Sequence, residues 1–346
     1  MKNKKIWWIM ICALLCTVMF CGCSTKENVP STEPSAVVTP TPSPQAVQTA
    51  QPTPTPTPMP TPTPDPTLKS GMDSNAVQEL QGRLKELGYL KIETCTTKFG
   101  PATERAVKLF QKQNGLSADG IAGPATLALV FSADAKECSL PLAGVIIGID
   151  PGHQAKGNSE QEAAAPGSSV TKNKVTSGTD GVNTGTPEYK INLAVGLKLR
   201  DLLEENGATV VMTHDTADVD ISNQQRAKMM NDAGAELVVR LHCDSADASV
   251  SGALMLVPSG SYTENFAGRS RDAGEAILEA FLQATGANNR GISERDDQTG
   301  FNWSTVPVCN LEMGCLSNGS EEALLISEEY QQKCAQGVCD GILSCF

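Results

Sequence analysis

The sequence predicts an α/β domain, built on a mostly parallel twisted sheet flanked by helices, together with a small all-α domain of three helices. Three observations predict it. Beyond Leu142, short β-branched apolar runs alternate with segments of helical apolar spacing, the pattern of a sheet covered by helices. Between Leu68 and Phe131 the apolar spacing is helical only. The Pro/Thr-rich stretch from Asn28 to Thr67 has neither pattern, and so separates the folded part of the 346-residue chain from its first segment.

That first segment, MKNKKIWWIMICALLCTVMFCGCS, sets Lys2, Lys4 and Lys5 before an apolar run from Ile6 to Cys21, the charged and hydrophobic regions of a secretory signal. The run is short, and wrongly followed, for a membrane span. Its end, Phe20-Cys21-Gly22-Cys23, resembles a bacterial lipoprotein processing site, although Leu is more usual where Phe20 stands. The expectation is a lipoprotein-type signal peptide over 1–22, with Cys23 as the lipidated residue and the membrane reached through that lipid. An uncleaved anchor helix is the alternative. Residues 23–68 form a linker in which QPTPTPTPMPTPTPDPT favours polyproline II. At ~3.1 Å per residue it could span on the order of 100 Å, letting a tethered head reach into a surrounding matrix.

The helical unit is expected over 69–132. Ser74 precedes a helix with Val77, Leu80, Leu84 and Leu87 on one face, closed by Gly88. Two later helices start on the same four residues, Gly100-Pro101-Ala102-Thr103 and Gly123-Pro124-Ala125-Thr126. Proline suits a first helical turn because its missing N–H would be unpaired there anyway. The strings VQELQGRLKELGYL and FGPATERAVKLFQKQNGLSADGIAGPATLALV resemble the peptidoglycan-binding domain of cell-wall hydrolases over nearly this whole segment. The resemblance implies peptidoglycan as a binding ligand; the other reading is a three-helix spacer without affinity. Cys95-Thr96-Thr97-Lys98 departs from the Asp-Gly turn common there.

In the α/β unit, expected over 142–346, VIIGID reads as a strand buried on both faces. Thr186-Pro187-Glu188 opens a long helix that ends at Gly207, and ATVVMT is the next strand. Ser222 with Gln225 makes a capping-box start for a helix ending at Gly234, and ELVVRLH is a third strand. GALMLV, a helix around EAILEAFLQATG, VPVCNLEMG and one closing helix from Glu321 onward complete the unit, with Ser317-Asn318 as a cap. Residues 154–187, between the first strand and its helix, have no apolar periodicity and read as a mobile flap or a plain surface insertion.

Charge narrows the partners. With 27 Lys and Arg against 39 Asp and Glu, the net charge of −12 argues against nucleic acid and against electrostatic capture by anionic surfaces. No residue pattern specifies an oligomeric state. Of the twelve cysteines, eight lie beyond Cys23, without the paired Cys-x-x-Cys spacing of a structural zinc site; disulfides and free thiols both fit them.

Three histidines occur in the chain. His153 follows VIIGID and His242 ends ELVVRLH, while Glu312 ends VPVCNLEMG; in open α/β sheets ligands bind outside the carboxyl ends of the strands, so the three can converge. His214, in VVMTHDT, reads as structural or surface. Two imidazoles and a carboxylate hold a catalytic zinc with one position open to water, and a further carboxylate is needed to move protons to a leaving amine. Glu188 and Glu312 are the candidates, and spacing does not divide these roles. Asp150 reads as a turn or supporting residue and Arg226 as a helix or interface anchor.

IDPGHQ, the Glu opening EYKINLAVGLKLRDLLEENG, VVRLHCD, and VPVCNLEMGCLSN followed by EEALLISEEYQQKCAQGV together resemble the zinc-dependent N-acetylmuramoyl-L-alanine amidase family, in the family's order. The resemblance implies His153, Glu188 and His242 as Zn2+ ligands and Glu312 as the catalytic acid/base. It implies a cell-wall hydrolase that cleaves the amide bond between N-acetylmuramic acid and L-alanine, with peptidoglycan as substrate, exported and anchored at the cell envelope. Three departures touch the pocket without removing a ligand: Arg240 stands where Ser is usual, Cys243-Asp244 where Ala-Asn is common, and Met313-Gly314-Cys315 where Leu-Gly-Phe is typical. A zinc peptidase acting within the stem peptide, or an inactive wall-binding or regulatory lipoprotein, are the rival readings.

Overall fold

The computed structural model describes residues 67–346; the signal-like segment, Cys23 and nearly all of the Pro/Thr-rich stretch lie outside the described residues. No helix of the described residues is long and apolar enough to cross a membrane.

Three helices come first, α1 (Asn75–Glu86), α2 (Pro101–Gln113) and α3 (Pro124–Val130). They enclose Val77, Leu80, Leu84, Tyr89, Phe99, Val107 and Phe110, with Tyr89 edge-on to Phe110 at 5.2 Å between centroids. The repeated Gly-Pro-Ala-Thr start has a role the spacing did not show. The buried Gln81 side chain donates to Thr103 Oγ1 at 2.8 Å, and the buried Gln111 side chain donates to Thr126 Oγ1 at 3.1 Å. Each glutamine also accepts a loop N–H, from Thr96 and Gly120 respectively. Two buried amides therefore tie the helix starts to the loops before them, with their polar atoms paired.

The α/β unit follows in the order β1 (Ile146–Pro151), β2 (Asn158–Ala163), β3 (Thr171–Val175), α4 (Glu188–Glu205), β4 (Thr209–Met212), α5 (Asn223–Ala233), β5 (Leu237–Asp244), β6 (Ala253–Pro258), α6 (Ala267–Thr285), β7 (Asn289–Arg295), α7 (Thr299–Asn302), β8 (Val308–Cys315), α8 (Gly319–Leu325) and α9 (Glu328–Leu343). A six-stranded sheet runs β4-β1-β5-β8-β6-β7, parallel except where β6 meets β8. The expected mostly parallel sheet is thus present.

Alternation along the strands sorts the core. Ile147, Ile149, Leu237, Val239, Leu241 and Leu311 join one cluster with residues of α4, α6 and α9, including Val195, Ile277 and Val338. The intervening Ile146, Val238 and Val308 belong to a smaller cluster with Met230 of α5 and Phe301 of α7. Each such buried side chain contributes roughly 1.5–3 kcal/mol of transfer free energy. At Gly148 a Cβ would lie 2.7 Å from Met230 Sδ, so the missing side chain is what lets α5 pack this close to β1.

One expectation needs correction, that of a single closing helix, and two readings left open gain detail. The 154–187 stretch contains an ordered antiparallel hairpin of β2 and β3. It is pinned on two sides: Trp303 Nε1 donates to the Ala163 carbonyl at 2.8 Å, and Asn223 Nδ2 to the Lys174 carbonyl at 2.9 Å. The closing helix is two helices, because Ser327 interrupts the path and caps α9 by accepting from the Tyr330 N–H. All eight cysteines among the described residues are free thiols, five of them buried.

Candidate metal centre and active site

β1, β5 and β8 are neighbours and run the same way, so their carboxyl ends meet at one edge of the sheet. His153 comes two residues after β1, with φ of 66°, and is the single non-glycine among the described residues in the left-handed region. Register pairs His242 of β5 directly with Glu312 of β8. Glu188 is the first residue of α4, brought to the same edge by the segment that follows the hairpin.

Ligand atoms of His153, Glu188 and His242 all lie within 4.8 Å of one another. Glu188 sits between the imidazoles, its Oε2 3.2 Å from His153 Nε2 and its Oε1 3.1 Å from His242 Nδ1. The carboxylate is fixed by N–H groups of Thr179 and Cys243, each at 3.0 Å, and by Asn192 Nδ2 at 3.1 Å. Burial alone would raise the Glu188 pKa, but these histidine contacts hold it well below the usual carboxylate range. Burial also pushes His242 down to about 4, which favours the neutral imidazole a metal requires.

The donor set fits a divalent metal on two further observations. His153 Nδ1 is 2.8 Å from the Thr176 carbonyl, which can only accept, so Nδ1 carries the hydrogen and Nε2 presents its lone pair. His242 Nε2 is buried and has no hydrogen-bond partner, an arrangement costing about 1–3 kcal/mol unless something meets that lone pair. Two imidazoles and one carboxylate are a donor set that zinc accepts.

Glu312 lines the same cavity, of about 560 Å³, as His153 and His242. Burial, followed by the nearby Glu188 and Asp244 carboxylates, pushes its pKa up to about 8. A carboxyl poised near neutrality can both take and give a proton. Asn310 Nδ2 donates to Glu312 Oε1 at 3.3 Å. The structure therefore separates the two acids that spacing left equivalent: Glu188 is held between the imidazoles, and Glu312, beside His242 in register, lines the cavity without joining the ligand cluster.

His214 is buried, bonded to Thr213 Oγ1 at 3.0 Å and outside the metal cluster, in keeping with a structural role. Asp150 is not a turn residue. It is the fifth residue of β1 and accepts from Arg226 and Arg240, both at 2.8 Å. Thr176, Asn192 and Asn310 were missed by sequence reasoning; none has a spacing signal, because each acts through a contact made only on folding. Arg240 had one signal, its place where the related family carries Ser, and it lines the cavity beside Glu312.

Comparison with known proteins bears on all of this. Residues 147–344 match the family model described as N-acetylmuramoyl-L-alanine amidase, and residues 73–130 match that for a peptidoglycan binding domain. The chain is 30% identical over 232 residues to N-acetylmuramoyl-L-alanine amidase Rv3717 of Mycobacterium tuberculosis, covering 64% of this chain and 94% of that protein. It is 28% identical over 227 residues to the germination-specific N-acetylmuramoyl-L-alanine amidase of Bacillus subtilis, covering 61% and 84%. The crystal structure of the amidase Ami1 from Mycobacterium smegmatis superposes with a TM-score of 0.54 at 26% identity, over 59% of this chain and 97% of that one. The match to the family model spans more than half of the chain, and the chain belongs to the N-acetylmuramoyl-L-alanine amidase family.

Proposed function

We propose that this chain hydrolyses the amide bond between N-acetylmuramic acid and L-alanine of peptidoglycan with a zinc ion held by His153, Glu188 and His242, and with Glu312 as acid/base. The observation that carries this reading is the approach of those three ligand atoms to within 4.8 Å in a cavity that also holds Glu312. When bound, zinc supplies a Lewis acid that lowers the pKa of a coordinated water toward ~7 and polarises a carbonyl. Glu312 takes the proton of the attacking water and delivers it to the alanine nitrogen as the bond breaks. Glu188, His153 and His242 hold their positions through the N–H and carbonyl contacts around them.

The helical unit, over 69–132, holds the enzyme to peptidoglycan, and the unit over 142–346 carries the chemistry. The enzyme acts at the cell wall. Residues 1–22 are read as a lipoprotein signal, with Cys23 lipidated and residues 23–68 as a stalk, on the strength of their sequence.

Digesting purified peptidoglycan with and without chelator tests the reaction. New L-alanine amino termini without new reducing sugars, lost with chelator and restored by zinc, support the reading. Cleavage only between stem amino acids would replace it with a peptidase.

A further inference from the structure

The cavity that holds Glu312 continues from the ligand cluster along one face of the sheet, past Arg240 of β5 and Asn310 of β8. These two are register partners, two residues before His242 and Glu312. Two strand residues span roughly 7 Å. Gly300 of α7 lines the cavity beside Arg240, and the hairpin contributes Gln161 and Lys172. The lining holds no aromatic ring and no aliphatic side chain, so nothing in it stacks on a sugar ring, while its amides and hydroxyls offer hydrogen bonds to peptide groups.

Besides the histidines, the charged residues of the lining are Glu312, Lys172 and Arg240. Lys172 is occupied by Asp297, donating to both its carbonyl and its carboxylate. Arg240 differs. It is buried, and the one carboxylate within ion-pair distance of it among the described residues, Asp150, is shared with Arg226. Two guanidiniums on one carboxylate leave a positive charge in excess where water cannot fully solvate it. Arg240 Nε donates to Asp150, and Nη2 donates to Asn223 Oδ1 at 3.0 Å, which fixes the guanidinium and leaves Nη1 without a partner among the described residues. Gly300 keeps space beside that nitrogen: a Cβ there would lie 2.5 Å from Nη1 and 2.9 Å from Cζ. A fixed guanidinium nitrogen with charge in excess is a site for a carboxylate brought by a ligand.

We propose that Arg240 is a specificity residue for this reaction, binding through Nη1 the α-carboxylate of the second stem residue while the bond before L-alanine is cut. The proposal rests on peptidoglycan being the substrate. Distance selects that carboxylate. An extended chain advances about 3.3–3.6 Å per residue, so the carbonyl carbon two residues beyond the scissile one lies roughly 7 Å away, matching the separation of Arg240 from His242 along β5. Where the second residue is a glutamate continued through its side chain, that carbon belongs to a free carboxylate, and amidation removes its charge. The muramyl ring offers hydroxyls and an acetamide, neither of which neutralises the guanidinium.

The test uses the full chain with zinc and two muramyl dipeptides that differ only in the second residue, D-glutamate with a free α-carboxylate or its α-amide. In the wild type, kcat/KM for the acid should exceed that for the amide by about tenfold or more, the scale of one charge-assisted contact. Arg240→Gln leaves Asp150 paired with Arg226 alone, and Gly300→Ala fills the space at Nη1. Each should bring the ratio to within about threefold of one. Because both substrates meet the same enzyme, the ratio cancels any general loss of activity or zinc. Calorimetry of free L-alanyl-D-glutamate and its α-amide on the zinc-free chain should show the same preference, and its loss in both variants, without turnover. A ratio near one in the wild type, or one that survives both substitutions, would overturn the role of Arg240. A binding preference without turnover of either muramyl dipeptide would instead overturn the amidase reading.

Discussion

Arg240 Nε donates to Asp150 Oδ2 at 2.8 Å across β5 and β1, where the two residues are register partners. Arg226 Nη1 reaches the other oxygen, also at 2.8 Å, and the same guanidinium donates to the carbonyls of Pro151 and His153 at 2.9 Å each. One buried carboxylate therefore anchors two cations beneath the turn that carries His153. Burial alone would raise the Asp150 pKa, but the two guanidiniums, aided by the Thr213 hydroxyl, outweigh it and hold the carboxyl well below the usual range.

Removing that charge should destabilise the fold more than it disturbs any surface. Asp150→Asn leaves two buried guanidiniums without their counter-ion, and a loss of about 3–5 kcal/mol is expected in urea denaturation. The effect has a pH signature. The folded pKa lies below the unfolded value of ~3.9, so the stabilisation is complete above that pH and is lost as pH falls through the folded pKa. The gap between wild type and Asp150→Asn should be flat from neutral pH down to about 5 and should shrink below about 4. A gap that stays constant down to pH 3 would show that Asp150 is not the anchor.

Glu312 and the metal ligands should separate cleanly in a variant. Glu312→Gln keeps the volume and the contact with Asn310 but cannot carry a proton. Zinc content by mass spectrometry should match the wild type, while kcat falls about 10²- to 10⁴-fold. Retained turnover would remove Glu312 from the chemistry; lost zinc would make it a ligand.

Gly152 gives a test of how tightly the site is built. A Cβ there would lie 2.3 to 2.5 Å from three atoms of the His242 ring, closer than real contacts allow. In Gly152→Ala the imidazole must rotate or shift away from Glu188. Zinc affinity should fall roughly 10- to 100-fold, the scale seen when a ligand loses its orientation, and far-ultraviolet circular dichroism should stay unchanged. Wild-type affinity in this variant would mean that the ring has another position of equal use.

The fold class and the four candidate site residues were legible because each candidate side chain ends an apolar β-branched run or opens a helix. What depended on register was not. Asp150 and Arg240 are 90 residues apart, and only the parallel pairing of β1 with β5 makes them neighbours. The hairpin of β2 and β3 was missed because only Glu162 and Val175 of its strand residues are buried, so no apolar alternation marks it. Its order comes instead from contacts such as Trp303 with Ala163, which no local pattern announces. The division of the closing helix does have a local signal, Ser327 followed by two glutamates, the composition of an N-cap and first turn.

His153 combines a proposed metal ligand with an unfavourable backbone, and the two contributions can be measured apart. Its φ of 66° lies where an L side chain costs roughly 1–2 kcal/mol. His153→Ala and His153→Gly both remove the imidazole, but only glycine releases the strain. Glycine also gains freedom in the unfolded chain, a cost of roughly 0.5–1 kcal/mol that works against it. The glycine variant should therefore be the more stable of the two, by up to ~1 kcal/mol, in thermal or urea unfolding. The comparison has to be made in chelator, because zinc at a hundredfold excess over its Kd would add about 2.7 kcal/mol to the wild type alone. Without chelator the wild type should then melt well above both variants, and with chelator that advantage should disappear. If alanine proves as stable as glycine, the turn at His153 relaxes once the side chain is gone, and the left-handed backbone is held by the ligand contacts and not by the loop.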